Sequence, residues 1–324
     1  MLTTGEIRLT RSELRLRSQF IGVTTGEYKN VRQLLHHRCP GLMRAARDVI
    51  EASELKYCQN TREESFLWQH TVYVASMAMQ LSYREGLDPL FPVLTALFHD
   101  CGKFQNGKFH AGKTPEEETG ARIACRLMEG AGFPRKSAMQ VGNSILALHN
   151  DKKRGDVNTC IVNDADFLIK FGHMGFANFF EKSVLRGMVI RKSILKTLSK
   201  ELTYAAALET RMRTRSGREM ARKKSGITIS LFRNYLEELR TSGISDYEIR
   251  KMEVNWGKGA GRVVQLFLVL PRFCEHCWNP LAVSFDTDKG IKRKRLVANI
   301  NCSACSRDSG YDFSFCLPEP STAH

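Results

Sequence analysis

The 324-residue chain has no apolar run approaching the ~18 residues that a membrane-spanning helix needs. Its start, Met1 to Phe20, is too charged to hold the apolar core of a secretory signal. No internal repeat and no low-complexity linker is visible, only a polar tail after Leu317. These absences lead to the expectation of a globular, cytoplasmic protein with no membrane partner. At 42% apolar residues the chain can bury a substantial core, as one large or two modest domains. A disulfide framework is also missing from most of it. Of ten cysteines, Cys39, Cys58, Cys101, Cys125 and Cys160 are scattered singly along helical segments and read as reduced thiols.

Negative charge is scarce overall, and the net charge of +15 invites a nucleic-acid reading. The surplus is uneven. Residues 61–185 carry 14 Lys/Arg against 14 Asp/Glu, whereas residues 186–225 carry 12 against 3. The segment 186–225, with Arg211, Arg213, Arg215, Arg218, Arg222, Lys223 and Lys224, therefore contacts phosphates or an acidic partner, or forms a solvated helix face.

Through residue 243 the apolar period is helical. Asp88-Pro89 reads as an N-cap followed by proline at the first helical position, opening Leu90 to Phe98 and delivering His99-Asp100 at its end. Thr114-Pro115-Glu116-Glu117 reads as a capping box, opening a helix to about Gly130. Further helices are expected over Pro134–His149, Thr159–Phe171 and, with a break near Ser216-Gly217, Lys182–Leu239. Beyond Ser242-Gly243 the period becomes two. Tyr247–Asn255, Arg262–Leu270, Leu281–Phe285, Lys292–Ile300 and Tyr311–Phe315 read as short strands, with turns at Gly257–Gly261 and Asp286–Gly290.

Polar residues on apolar stripes ask for a reason, because burying them unpaired costs several kcal/mol. His70 shares a face with Leu67, Val74, Met77 and Leu81, and Asp166 shares one with Val162 and Ile169. Taken alone, an inward histidine reads as a hydrogen-bonded core residue. The adjacent pair His99-Asp100, followed by Cys101-Gly102-Lys103, shifts the balance, since imidazole and carboxylate together hold hydrolytic divalent metals.

The stretches Trp68-Gln69-His70-Thr71-Val72, Leu94-Thr95-Ala96-Leu97-Phe98-His99-Asp100-Cys101-Gly102-Lys103 and Val162-Asn163-Asp164-Ala165-Asp166-Phe167-Leu168 resemble, in order and spacing, the HD-domain superfamily of metal-dependent phosphohydrolases. The resemblance covers roughly residues 60–240. Gly172, Gly175 and Ala177 are similar to a glycine-spaced stretch in a branch of small bacterial HD hydrolases, and Thr214 to Arg240 looks like its closing helices. The resemblance implies His70, His99, Asp100 and Asp166 as metal ligands, with Asp164 the less favoured fourth ligand or a supporting residue. Asp100, Lys103 and Asp164 are then candidate catalytic groups: Lys103 for charge on the phosphoryl group, a spare oxygen of Asp100 or Asp164 for orienting water. His110 and His149 are candidates for a second metal. Glu116 or Glu117 stands before Gly120-Ala121 where some members carry a histidine, and Phe167 and Ile169 replace the branch's usual arginine and aspartate, so substrate specificity does not transfer. His36, His37 and His173 are read as structural.

Cys274-Glu275-His276-Cys277 and Cys302-Ser303-Ala304-Cys305 are two Cys-x-x-Cys knuckles separated by 24 residues. Cys274, Cys277, Cys302 and Cys305 at this spacing signal one structural zinc and resemble a zinc ribbon, with an iron–sulfur cluster or paired disulfides as alternatives. Lys292, Arg293, Lys294 and Arg295 lie between the knuckles, and Trp256, Phe267, Phe273 and Trp278 lie close in sequence. Basic residues with aromatics suit single-stranded nucleic acid; a small packed core with a guarded edge strand explains the same pattern.

The expected fold is mainly α: an N-terminal helical extension over residues 1–60, an HD-type helical bundle over 61–243, and a small β-rich, zinc-ribbon-like domain over 244–324. The expected function is hydrolysis of a phosphoester or phosphoanhydride of a nucleotide by metal-activated water. The catalytic ion is one of Mn, Fe, Ni, Co or Mg. The alternatives are an HD phosphodiesterase or nuclease acting on RNA or DNA, and a non-catalytic nucleic-acid-binding or regulatory protein with a structural metal.

Overall fold

The computed structural model describes residues 28–57, 65–104, 114–148, 155–185, 187–189, 194–255, 263–274, 276–286, 295–306 and 308–314. It is mainly helical, with small sheets and a cysteine cluster toward the C-terminus. No helix among the described residues is long and apolar enough to cross a membrane. The chain divides into two compact units: residues up to 169 with 212–218, and residues 170–211 with 219–324.

In the first unit, α1 (Val31–Arg38), α2 (Leu42–Tyr57), α3 (Phe66–Arg84), α4 (Leu90–Phe98), α5 (Glu116–Gly130), α6 (Arg135–Ala147) and α7 (Val157–Leu168) follow in order. α4 is the hub, touching all the others. Its sequence explains why: apolar all round, it buries every residue but Phe91, as a helix surrounded by others must. Asp88 starts it, accepting the Leu90 amide at 3.0 Å while pairing with Arg38 at 3.1 Å. α5 begins differently from the expected capping box. Pro115 occupies the cap position with no side-chain bond, and only the acidic first turn, Glu116 to Glu118, answers the helix dipole.

Among the described residues the second unit contains α8 (Gly172–Leu185), a π-helical turn (Ile194–Leu198), α9 (Ser199–Ala206), α10 (Leu208–Arg211), most of α11 (Arg215–Thr241) and five strands. β1 (Tyr247–Asn255) and β2 (Val263–Pro271) form an antiparallel pair with Lys251 opposite Phe267. β3 (Ala282–Asp286), β4 (Arg295–Asn301) and β5 (Asp308–Ser314) form a three-stranded antiparallel sheet in that order. Alternation places β2 side chains in two cores. Phe267 and Val269 join Phe179, Leu198, Leu202, Phe232, Leu236 and Tyr247, while Leu266, Leu268 and Leu270 join Ile300. The first of these cores is why residues 170–211 and 219–241 cluster with the strands.

α11 also departs from expectation, since the helix runs through Ser216-Gly217 without a break. The interruption lies just before it, at Met212 to Thr214, where side chains of the first unit take up the backbone donors.

Candidate metal centres

His70 comes from the buried face of α3, His99 and Asp100 from the turn that closes α4, and Asp166 from α7. All four are buried, at 9%, 5%, 8% and 5% exposure. His70 Nε2 lies 3.4 Å from both Asp100 Oδ2 and Asp166 Oδ1, and His99 Nε2 lies 3.5 Å from Asp100 Oδ1. Ligand atoms of His70, His99 and Asp100 all fall within 4.8 Å of one another.

His99 decides what this cluster is for. Its Nδ1 is 2.6 Å from the Ala96 carbonyl, which can only accept, so the proton sits on Nδ1 and the lone pair on Nε2. Burial lowers its pKa against the pull of Asp100 and Asp166, keeping the ring neutral. Yet Nε2 is buried and makes no hydrogen bond. Burial resists ionisation of Asp100, but the positive charge facing it, with Lys103 2.8 Å away, outweighs burial and holds the carboxyl well below the usual range. A lone pair without a donor, beside two buried carboxylates, fits a cation.

Lys103 is brought to the cluster, with Nζ 2.8 Å from Asp100 Oδ2. Burial works against its charge, but Asp100 more than compensates and its pKa is raised. The turn that carries it is held by a close approach. A Cβ on Gly102 would stand 2.1 Å from the Glu116 carbonyl oxygen, so only glycine lets the start of α5 seat against Asp100 to Lys103. Nothing in the sequence announces this contact, although Gly102 lies in the stretch Leu94 to Lys103.

Asp164 makes its hydrogen bonds away from this cluster. It is fully buried, and its carboxylate accepts the Arg213 amide at 2.8 Å, the Thr214 amide at 2.8 Å and the Thr214 hydroxyl at 2.7 Å. Its oxygens are occupied by the backbone that opens α11. Glu85 adds to this clamp, accepting the Ser216 amide at 2.6 Å. No signal in the sequence pointed to Glu85. Phe167 is half-buried and Ile169 buried, so both apolar side chains pack into the protein. His110 and His149 lie outside the described residues.

The four knuckle cysteines also converge. Cys274 Sγ is 3.7 Å from Cys305 Sγ, Cys277 Sγ is 3.3 Å from Cys302 Sγ, and all four lie within 4.8 Å of one another. A disulfide needs about 2.05 Å, whereas thiolates around a tetrahedral zinc at about 2.3 Å stand roughly 3.8 Å apart. Hydrogen bonds from Asn279 lead in lowering Cys277 to about 6, and amides of His276 and Cys277 lower Cys274, so the thiolate form is favoured. Both metal clusters pass the test of donor chemistry.

Lys292, Arg293 and Lys294 lie outside the described residues, as does the Gly257–Gly261 turn; Arg295 opens β4. In the basic region several cations are engaged within the protein. Lys200 and Arg211 sit 5.4 and 5.2 Å from the Tyr204 ring centroid, Arg222 pairs with Glu209 at 2.7 Å, and Lys224 donates to the Phe171 carbonyl at 3.1 Å.

Residues 67–169 match the family model of the HD domain. That HD segment contains all four clustered His and Asp residues. A search of curated proteins finds no match. Solved structures with similarity include a predicted HD superfamily hydrolase from an uncultured Thermotogales bacterium, at 18% identity and TM-score 0.45 over 64% of this chain and 98% of that one. Bacillus subtilis YpgQ matches at 17% identity and TM-score 0.45, over 61% and 97% of the two chains. An HD-superfamily hydrolase from Bacillus thuringiensis matches at 18% and 0.44, over 61% and 98%.

Proposed function

We propose that the chain is a metal-dependent phosphohydrolase. His70, His99, Asp100 and Asp166 hold a divalent cation, and Cys274, Cys277, Cys302 and Cys305 hold a structural zinc. The observation that carries the reading is the buried, bond-free Nε2 of His99, whose lone pair is fixed toward Asp100 by the Ala96 carbonyl. A divalent ion at this cluster supplies a lowered pKa for water and neutralises charge on phosphoryl oxygen. The chain's own groups do the rest. His70 Nε2, 3.4 Å from one oxygen each of Asp100 and Asp166, would hold the cation together with both carboxylates. Lys103, held charged by Asp100, offsets negative charge gained at the phosphoryl group.

The test is turnover of bis(p-nitrophenyl) phosphate and of nucleoside mono-, di- and triphosphates by the full chain, supplied in turn with Mn, Fe, Ni, Co and Mg. We expect hydrolysis with at least one ion, and its loss in Asp100→Ala. A chain inert on the whole panel, or an Asp100→Ala variant as active as the parent, overturns the proposal.

A further inference from the structure

The two cysteine knuckles end alike. The residue after the second cysteine, Trp278 in one and Ser306 in the other, adopts a left-handed backbone with φ of 58° and 54°. Glycine is the inexpensive choice there, and a bulky side chain is strained. At Trp278 burial does not offset that strain, because the side chain is 58% exposed and belongs to neither core cluster of its unit. A large aromatic ring is therefore held out to solvent at a position where it costs stability. Such a local violation without a packing gain points to a surface role.

The surroundings narrow the ligand. The Phe273–Pro280 bridge and the Leu281 amide donating to the Arg272 carbonyl at 3.0 Å make Trp278 the tip of a short hairpin. At its base the Arg272 guanidinium, half-exposed and 3.7 Å from the Asp246 carboxylate, lies 5.8 Å from the Phe273 ring centroid. Between Glu275 and Asp286 the hairpin carries no acidic side chain, and the chain as a whole carries +15. A ring that offers a stacking face, with a cation nearby on a basic protein, suits a planar, negatively charged polymer better than an apolar peptide.

We propose that Trp278 is a base-stacking residue through which this cysteine module binds single-stranded nucleic acid, with Arg272 as the accompanying cation. The reading does not depend on hydrolysis, and its test needs none.

The full chain and its Trp278→Gly and Trp278→Phe variants are titrated against labelled oligothymidylate and oligouridylate, with zinc content and Tm measured on the same samples. Trp278→Gly relieves the left-handed strain, so we expect its zinc unchanged and its Tm equal or higher. Oligonucleotide binding should be about 5- to 100-fold weaker, as loss of one base stack predicts. Trp278→Phe should keep most of the affinity, and parent binding should weaken as salt rises. The proposal is overturned by a parent that binds neither oligonucleotide, or by equal affinity in Trp278→Gly. Loss of zinc or a lower Tm in Trp278→Gly also overturns it, by making the ring structural. A protein captured by the parent but not by Trp278→Gly, without oligonucleotide binding, overturns it in favour of a protein contact.

Discussion

Asp164 holds Thr214 twice, accepting its amide at 2.8 Å and its hydroxyl at 2.7 Å on the same carboxylate oxygen. The contact leaves no room for a side chain one turn later: a Cβ on Gly217 would stand 2.3 Å from that oxygen. Asp164→Ala strands the buried Thr214 amide and hydroxyl and the part-buried Arg213 amide, so we expect a loss of about 3 kcal/mol in denaturant unfolding. Metal content of the folded fraction should persist. Unchanged stability together with lost metal would return Asp164 to the metal cluster.

His99 gives a second expectation. If its Nε2 lone pair holds a cation, added Mn or Ni binds only the folded state and raises Tm with concentration. His99→Ala should abolish that rise, while calcium, which prefers oxygen ligands, should produce little of it in either protein. A rise of equal size in His99→Ala would remove this histidine from the site.

The cysteine cluster is expected to be independent of the first site. Metal analysis of the parent beside Asp100→Ala and Cys274→Ser should show the first variant keeping zinc and losing the catalytic ion. Cys274→Ser should lose zinc, or fail to fold, because metal binding to such a module is part of its folding energy. Equal loss of both metals in both variants would refute two separate sites.

Asp156 makes stability depend on pH. It caps α7 by accepting the Thr159 amide at 2.8 Å, and also accepts the hydroxyls of Thr159 and Ser144. Burial raises its pKa, but these bonds outweigh burial and the folded value lies below the ordinary one. A depressed carboxyl contributes stability that is present above its unfolded pKa and is lost as pH falls through the folded value. Asp156→Ala should cost about 1 kcal/mol at neutral pH. Asp156→Asn should keep part of the cap and flatten this portion of the acid-side loss, measured by urea unfolding from pH 7 downward; an unaltered pH profile in Asp156→Asn would rule the cap out as its source.

What the sequence made legible was local. Asp88 before Pro89, the apolar stripes that turn His70 and Asp166 inward, and the period change after Gly243 each depend on neighbours within a turn or a strand, and each reappears in the structure. The division of labour between Asp164 and Asp166 was only half legible. Two residues apart on α7, both point into the protein, and what separates them is a partner 50 residues away. Ser216-Gly217 looked like a helix break because serine and glycine are poor helix formers. The glycine is there to admit Asp164, which anchors the first turn and keeps the helix intact. Thr114 failed as a cap because the next residue, Pro115, occupies the cap position itself.

The edge of β2 away from β1 is closed by hydroxyls in place of a strand. The Phe267 amide donates to Thr203 Oγ1 at 2.9 Å and the Val269 amide to Ser199 Oγ at 2.8 Å, both hydroxyls projecting from α9. Neither serine nor threonine favours a helix interior, so their place one turn apart on the buried face reflects this pairing. Thr203→Val keeps the shape but removes the acceptor, leaving a buried amide unmet at a cost of about 1–3 kcal/mol. Ser199→Ala should cost a similar amount. Because both bonds satisfy one edge, the double variant should expose a run of open amides, and strands so exposed pair with other chains. We therefore expect it to aggregate on partial unfolding, read by light scattering during a thermal ramp, at temperatures where each single variant stays clear. A double variant that melts reversibly without scattering would show that packing of Phe267 and Val269, and not the hydroxyls, guards this edge.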